Sequence, residues 1–207
     1  MKYIIKPAAT LLITAVITVA ALSIVYNLTL EPIERQARRT QEKAMMEVML
    51  LPGGTFEKLE RSDWGIENSG NIVSIHRALY LTQLYGYVVQ LSPEGYSGKI
   101  DLVVGISIHP FEKINGLRVL RHSETPGLGA LATEESFYQQ FTARDLVALG
   151  VAKASAGMHD IQAITSSTIT TKAITGAVNE AIEWYLTVRK PSKQEFITEA
   201  EAEDEIF

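Results

Sequence analysis

Tyr85-Gly86-Tyr87-Val88-Val89-Gln90-Leu91 opens a series of three apolar runs that decides the fold. The second run is Lys99 to Ile108 and the third is Ile114 to Arg121. Between them lie Pro93-Glu94-Gly95 and Pro110-Phe111-Glu112-Lys113. Runs of this length bounded by turn residues read as strands, and linkers this short join antiparallel neighbours, because parallel strands need a long crossover. The class is therefore α+β, an antiparallel sheet with packed helices. Upstream, a Gly/Asn turn at Asn68 to Asn71 precedes a further candidate strand, Ile72 to Leu79. Downstream, Phe137 to Leu146 predicts a helix or helical turn.

Further along the chain, Thr165-Ser166-Ser167-Thr168-Ile169-Thr170-Thr171 packs six hydroxyls into seven residues. After it, Ala173, Ile174, Ala177, Val178, Ala181, Ile182 and Tyr185 recur at three- and four-residue steps, the period of a helix with one buried face. The hydroxyls thus sit at a helix N-terminus. Ser and Thr are preferred N-caps, so capping explains the cluster without a ligand. The unpaired N–H groups and the positive end of the helix dipole would equally receive a phosphate. A second segment, His122-Ser123-Glu124-Thr125-Pro126-Gly127-Leu128-Gly129, contains a turn at Thr125-Pro126-Gly127.

Both segments resemble motifs of one family. Thr165 to Thr171 resembles the flavin-attachment motif of FMN-binding domains, found in the G subunit of Rnf-type electron transport complexes and the C subunit of sodium-pumping NADH:quinone reductases. That motif usually reads Ser/Thr-Gly-Ala-Thr followed by a Ser/Thr pair. Here Ser166 and Ser167 stand at the Gly and Ala positions, and Gln162 stands where an Asp is expected, with Asp160 out of register. His122 to Gly129 resembles the His-x-Glu-Thr-Pro-Gly-Leu-Gly signature beside the flavin, and Gly95-Tyr96-Ser97-Gly98-Lys99-Ile100 fits the family's entry into its sheet. The resemblance covers residues from about 85 to 187.

The resemblance implies an FMN held covalently through a phosphoester to Thr168, with Thr165, Ser166, Ser167 and Thr170 as phosphate partners. It implies that Glu124, Thr125, Gly127 and Leu128 line the flavin ring. A separate flavin transferase would make the bond, since nothing in the sequence sets a base beside Thr168, and no residue is assigned a catalytic role. The expected function is that of an electron-transfer subunit in an Rnf-like complex coupling ferredoxin and NAD redox chemistry to Na+ or H+ transport, beside other membrane and peripheral subunits. The equivalent subunit of the quinone reductase is one alternative, and a flavin-free assembly module is another.

The N-terminus predicts a membrane anchor. From Pro7 to Leu30 there is no charged residue, and Ala8 to Leu30 spans roughly 35 Å as a helix, enough to cross a hydrocarbon core of about 30 Å. A cleaved signal peptide is the competing reading, but the apolar run exceeds the usual length and lacks a clear cleavage site. Lys2 and Lys6 precede the span while Arg35, Arg38, Arg39 and Lys43 follow it, which by the positive-inside rule leans towards a cytoplasmic C-terminal side. The family resemblance instead implies a flavin domain on the extracytoplasmic side of the cell (inner) membrane.

The expected organisation is an anchor over 1–31, a juxtamembrane helix and linker over 32–54, an FMN-binding domain over 55–188 with its core at 85–187, and an acidic mobile tail over 189–207. Ile33, Ala37, Ala44, Met45, Val48 and Met49 form a loose stripe on the juxtamembrane helix, which Leu51-Pro52-Gly53-Gly54 should stop. With no cysteine in the chain, disulfides, thiolate clusters and cysteine nucleophiles are excluded. A net charge of −5 argues against nucleic acid as a partner. The four histidines, His76, His109, His122 and His159, lack metal-like spacing, so no metal site is expected.

Overall fold

The structure, a computed structural model, describes residues 2–66, 68–81, 83–108 and 111–189. The expected acidic tail therefore lies, but for its first residue, outside the described residues. The chain divides into two compact units between Gln41 and Glu42.

The first unit is helical and belongs to α1, Lys2–Met49. This helix is long and apolar enough to cross a membrane, and its apolar side chains are exposed, Leu11 at 70% and Val16 at 60% among them. Several of its polar side chains bond back to the helix's own carbonyls. Thr10 Oγ1 donates to the Lys6 carbonyl at 3.0 Å, Thr18 Oγ1 to Thr14 at 2.8 Å and Asn27 Nδ2 to Ser23 at 2.9 Å. In a hydrocarbon medium an unpaired hydroxyl or amide costs several kcal/mol, so this back-bonding suits a lipid-facing surface.

The second unit is built on a six-stranded antiparallel sheet whose strands neighbour one another in chain order. They are β1 (Thr55–Lys58), β2 (Ile72–Tyr80), β3 (Gln83–Leu91), β4 (Asp101–Ser107), β5 (Lys113–Arg121) and β6 (Arg144–Asp145). Alternate side chains point to opposite faces, and both faces are covered. On one, Ala78, Val88 and Val103 meet Ala44, Met45, Val48 and Met49 from the end of α1. On the other, Val89, Leu102, Val104 and Ile106 share a core with Ile174, Val178 and Ile182 of a helix considered below. Burial on both sides explains why the central strands read as nearly unbroken apolar runs.

Small residues let α1 lie close to the sheet. A Cβ on Gly105 would stand 2.6 Å from the Val48 carbonyl oxygen, and one on Gly86 would stand 2.7 Å from the Met49 methyl. The helix stops where the Pro-Gly-Gly sequence predicts. Leu50 turns into the left-handed region at φ 51°, and Leu51 N–H donates to the Met46 carbonyl at 3.1 Å, satisfying one of the orphan carbonyls of a helix end. Asn115 Nδ2 donates to the Met49 carbonyl at 2.8 Å, and Arg118 pairs with Glu47 at 3.0 Å.

Of the helix or helical turn expected over Phe137 to Leu146, only the first part is helical. A single turn, α2 (Glu135–Tyr138), runs into a tighter turn over Gln139–Phe141, and the chain then enters β6. Ala143, at φ 57°, breaks any helical continuation. Two short strands, β7 (Gly150–Ala152) and β8 (Asp160–Gln162), pair in parallel and lead into α3 (Thr168–Trp184). Trp184 Nε1 donates to the Trp64 carbonyl at 3.0 Å, and the Trp184 ring stands edge-on to Tyr87 at 5.4 Å, so the end of α3 is fixed to the sheet.

Candidate functional site

Three connections meet at one end of the sheet: the turn after β3, the segment after β5 and the entry to α3. Glu124 ties them together. It is buried, 6% exposed. Its Oε1 accepts from the backbone N–H groups of Tyr96 at 2.8 Å and Ser97 at 2.9 Å, and its Oε2 accepts from Thr170 Oγ1 at 2.6 Å. Thr170 Oγ1 in turn accepts from Ser167 Oγ at 2.8 Å. Burial pushes the carboxyl pKa up, but the hydrogen bonds from Thr170, Ser97 and Tyr96, with the charge of His122, outweigh it and hold Glu124 below the usual value. The carboxylate is therefore ionised at neutral pH.

The glycines on either side have a steric reason. A Cβ on Gly95 would lie 2.5 Å from Glu124 Oε1, and one on Gly129 would lie 2.2 Å from Glu124 Oε2 and 2.8 Å from Thr170 Oγ1. Each glycine makes room for the buried carboxylate. Gly127 has another role, supplying the positive φ of 74° in the Thr125-Pro126-Gly127 turn.

At the start of α3 the hydroxyls do not do what capping predicts. Ser167 is the N-cap residue, yet its hydroxyl makes no bond to the helix amides and turns inward to Thr170. Thr171 Oγ1 accepts from Ile164 N–H and donates to the Ser167 carbonyl, both at 3.1 Å, locking the loop to the first turn. Ser167 N–H reaches the Ile164 carbonyl at 2.9 Å, and Thr171 N–H reaches the Ser167 carbonyl at 3.1 Å. The amides of Thr168, Ile169 and Thr170 find no acceptor among the described residues. Ser166 holds a left-handed backbone, φ 61°, to make the approach.

Thr168 and Ile169, with two of these amides, edge a cleft of about 390 Å³. Of the residues expected at the site, Ser166, Ser167, Thr168, Glu124, Thr125 and Leu128 line it. Thr170 is fully buried behind it, while Thr165 and Gly127 stand outside the lining. Three lining residues were not singled out: Tyr96, Gly129 and Ile169. Each falls inside a quoted motif segment, so the signal was present but unassigned. Tyr96, Leu128 and Ile169 give the cleft an exposed apolar rim. Free amides at a helix N-terminus suit an anion, and an apolar rim with a few convergent polar groups suits a planar organic group.

Residues 95–183 match the FMN-binding domain family and residues 1–48 match the RnfG N-terminal region. The chain is 34% identical to the G subunit of the proton-translocating ferredoxin:NAD(+) oxidoreductase complex of Clostridium ljungdahlii, over 84% of this chain and 86% of that one. It is 31% identical to the G subunit of the Na(+)-translocating ferredoxin:NAD(+) oxidoreductase complex of Acetobacterium woodii, over 91% and 95% of the two chains. Among solved structures, the fold resembles the C subunit of the Na(+)-translocating NADH-quinone reductase of Parabacteroides distasonis, with a TM-score of 0.57, 16% identity and coverage of 77% and 96%. It also resembles NqrC of Shewanella oneidensis, with a TM-score of 0.52, 20% identity and coverage of 68% and 70%. Free amides beside an apolar-rimmed cleft, on a domain of this fold behind a long apolar helix, agree with those matches, and the chain belongs to the G-subunit family of ion-translocating oxidoreductase complexes, with that family's FMN-binding domain.

Proposed function

We propose that this chain is a membrane-anchored electron carrier of an Rnf-like complex that couples ferredoxin and NAD redox chemistry to Na+ or H+ transport, holding FMN through a phosphoester to Thr168. The observation that carries the reading is the uncapped start of α3, where Thr168 and Ile169 offer free amides at the mouth of the cleft. A phosphate on the Thr168 hydroxyl would meet those amides and the positive end of the helix, a gain of about 0.3–1 kcal/mol that rises to about 2 kcal/mol when partly buried.

FMN supplies the electron chemistry when bound. The chain's own residues bind, orient and shield. Leu128, Ile169 and Tyr96 would cover the ring with apolar surface, while Glu124 and Thr171 hold the loop that carries Thr168. The covalent bond keeps the cofactor from leaving during electron traffic. The chain makes no bond to itself without help: no general base contacts Thr168 among the described residues, so a separate flavin transferase is a partner in maturation. Ion transport belongs to other subunits, because the span from Pro7 to Leu30 holds no ionisable side chain that could conduct an ion, apart from Tyr26. The match of residues 1–48 to the RnfG N-terminal region favours the Rnf-like complex over the quinone reductase.

The test is denaturing gel electrophoresis of the chain coexpressed with a flavin transferase, read for flavin fluorescence, beside Thr168→Ala. A fluorescent band in the wild type and none in the variant is expected. A dark wild-type band, with the transferase active on a control substrate, overturns the covalent assignment.

A further inference from the structure

The hydrogen bonds around Glu124 fix the direction of two hydroxyl protons at the start of α3, those of Thr170 and Ser167. Thr170 spends its hydroxyl proton on Glu124 Oε2, so its oxygen can only accept, and Ser167 donates to it. Ser167 lines the cleft, but its proton is turned away from it. Neither hydroxyl can donate to a phosphate oxygen while the carboxylate is ionised. Three donors on its two oxygens keep it ionised. A fixed negative charge thus sits behind the first turn of α3, against the positive end of the helix, and Gly95 and Gly129 are kept small to admit it.

Such a charge does not repel all phosphates equally. A free phosphate monoester carries about −1.5 to −2 near pH 7, whereas the phosphodiester made by esterification to a hydroxyl carries a single negative charge. Repulsion scales with the charge of the guest. We propose that Glu124 is a specificity-determining residue that sets the cleft against free phosphate monoesters, FMN among them, and reserves it for a flavin phosphate already esterified to the chain. The inference rests on the functional reading above. Its consequence is that free FMN does not occupy the cleft before attachment and block Thr168.

The experiment uses the full-length chain, purified in detergent without a flavin transferase, and measures equilibrium binding of FMN and of riboflavin, which lacks the phosphate. The quantity read is the ratio of the two affinities, in which effects on ring binding cancel. In the wild type FMN should bind no tighter than riboflavin. Glu124→Gln removes the charge and preserves the bonds: its oxygen still accepts from Tyr96 and Ser97, and its amide donates to Thr170. Thr170 can then donate to Ser167, whose proton is freed towards the cleft. The ratio should rise roughly tenfold or more, the size expected for removing one charge beside a doubly charged guest in partly solvated surroundings.

Thr170→Val keeps the carboxylate and removes the hydroxyl that orients Ser167, so its ratio should stay within about twofold of the wild type. An unchanged or falling ratio in Glu124→Gln, or undetectable FMN binding in that variant, overturns the proposal. So does an equal rise in Thr170→Val, which would assign the discrimination to hydroxyl direction rather than charge. The covalent assignment is judged separately by the gel: a dark wild-type band there overturns the earlier reading whatever the binding ratio.

Discussion

Ser166 sits at φ 61°, in the left-handed region, at the position where the related flavin-attachment motif carries glycine. A left-handed backbone costs an L-residue roughly 1–2 kcal/mol, and glycine gives back part of that relief through its greater freedom in the unfolded chain, about 0.5–1 kcal/mol. Ser166→Gly should therefore stabilise the domain by about 0.5–1 kcal/mol, a rise of about 1–4 °C in thermal midpoint. Scanning fluorimetry checks this, and a lower midpoint would mean that the serine side chain makes a compensating contact. The same residue marks how far the site was legible. The hydroxyl cluster at the start of α3 and the Thr-Pro-Gly turn were readable because each is local. The placement of Glu124 was not. The resemblance put it against the flavin ring, and it does border the cleft, but both its oxygens are taken by Tyr96, Ser97 and Thr170. Those partners come from segments far apart in sequence, and no pattern within any one of them records the meeting.

Elements were legible in proportion to their length. α3 and the central strands carry enough residues to display a period, whereas β1, β6, β7 and β8 run two to four residues and display none. Phe137 and Phe141 misled the reading of the segment that holds them. They lie four apart and both are buried, in ring contact at 5.5 Å, which imitates the stripe of a longer helix. The stripe on the second half of α1 divides in a similar way: Ala44, Met45, Val48 and Met49 are buried on the sheet, while Ile33 is exposed. Docking of that last turn depends on the glycines beneath it. A Cβ on Gly105 would stand 2.6 Å from the Val48 carbonyl, a backbone atom that cannot rotate away, whereas one on Gly116 would meet Val48 at an ordinary 3.5 Å. Gly105→Ala should cost about 1–3 kcal/mol, and Gly116→Ala less than about 0.5 kcal/mol. Thermal midpoints of the two variants, with protease sensitivity around residues 50–54, separate them. Equal midpoints would refute close approach as the reason for Gly105.

At the scale of the whole molecule, α1 anchors the chain in the membrane, and the side on which the flavin domain stands is the remaining topological question. Lys and Arg are more numerous after the span than before it, which taken alone favours a cytoplasmic domain. That rule loses force for long translocated segments, because large domains cross largely regardless of charge, and about 175 residues follow the span here. The resemblance to FMN-binding domains implies a flavin domain outside the cytoplasm, and that is the side we propose. The absence of cysteine makes the test clean, since a single introduced thiol is the only one present. Met158 is 80% exposed on the domain surface, and Met158→Cys leaves the cleft untouched. With the outer barrier permeabilised and the inner membrane intact, a membrane-impermeant maleimide should label this variant as fully as it does after lysis. Labelling that appears only on lysis would put the domain in the cytoplasm, and the electron partners would then have to be sought on that side.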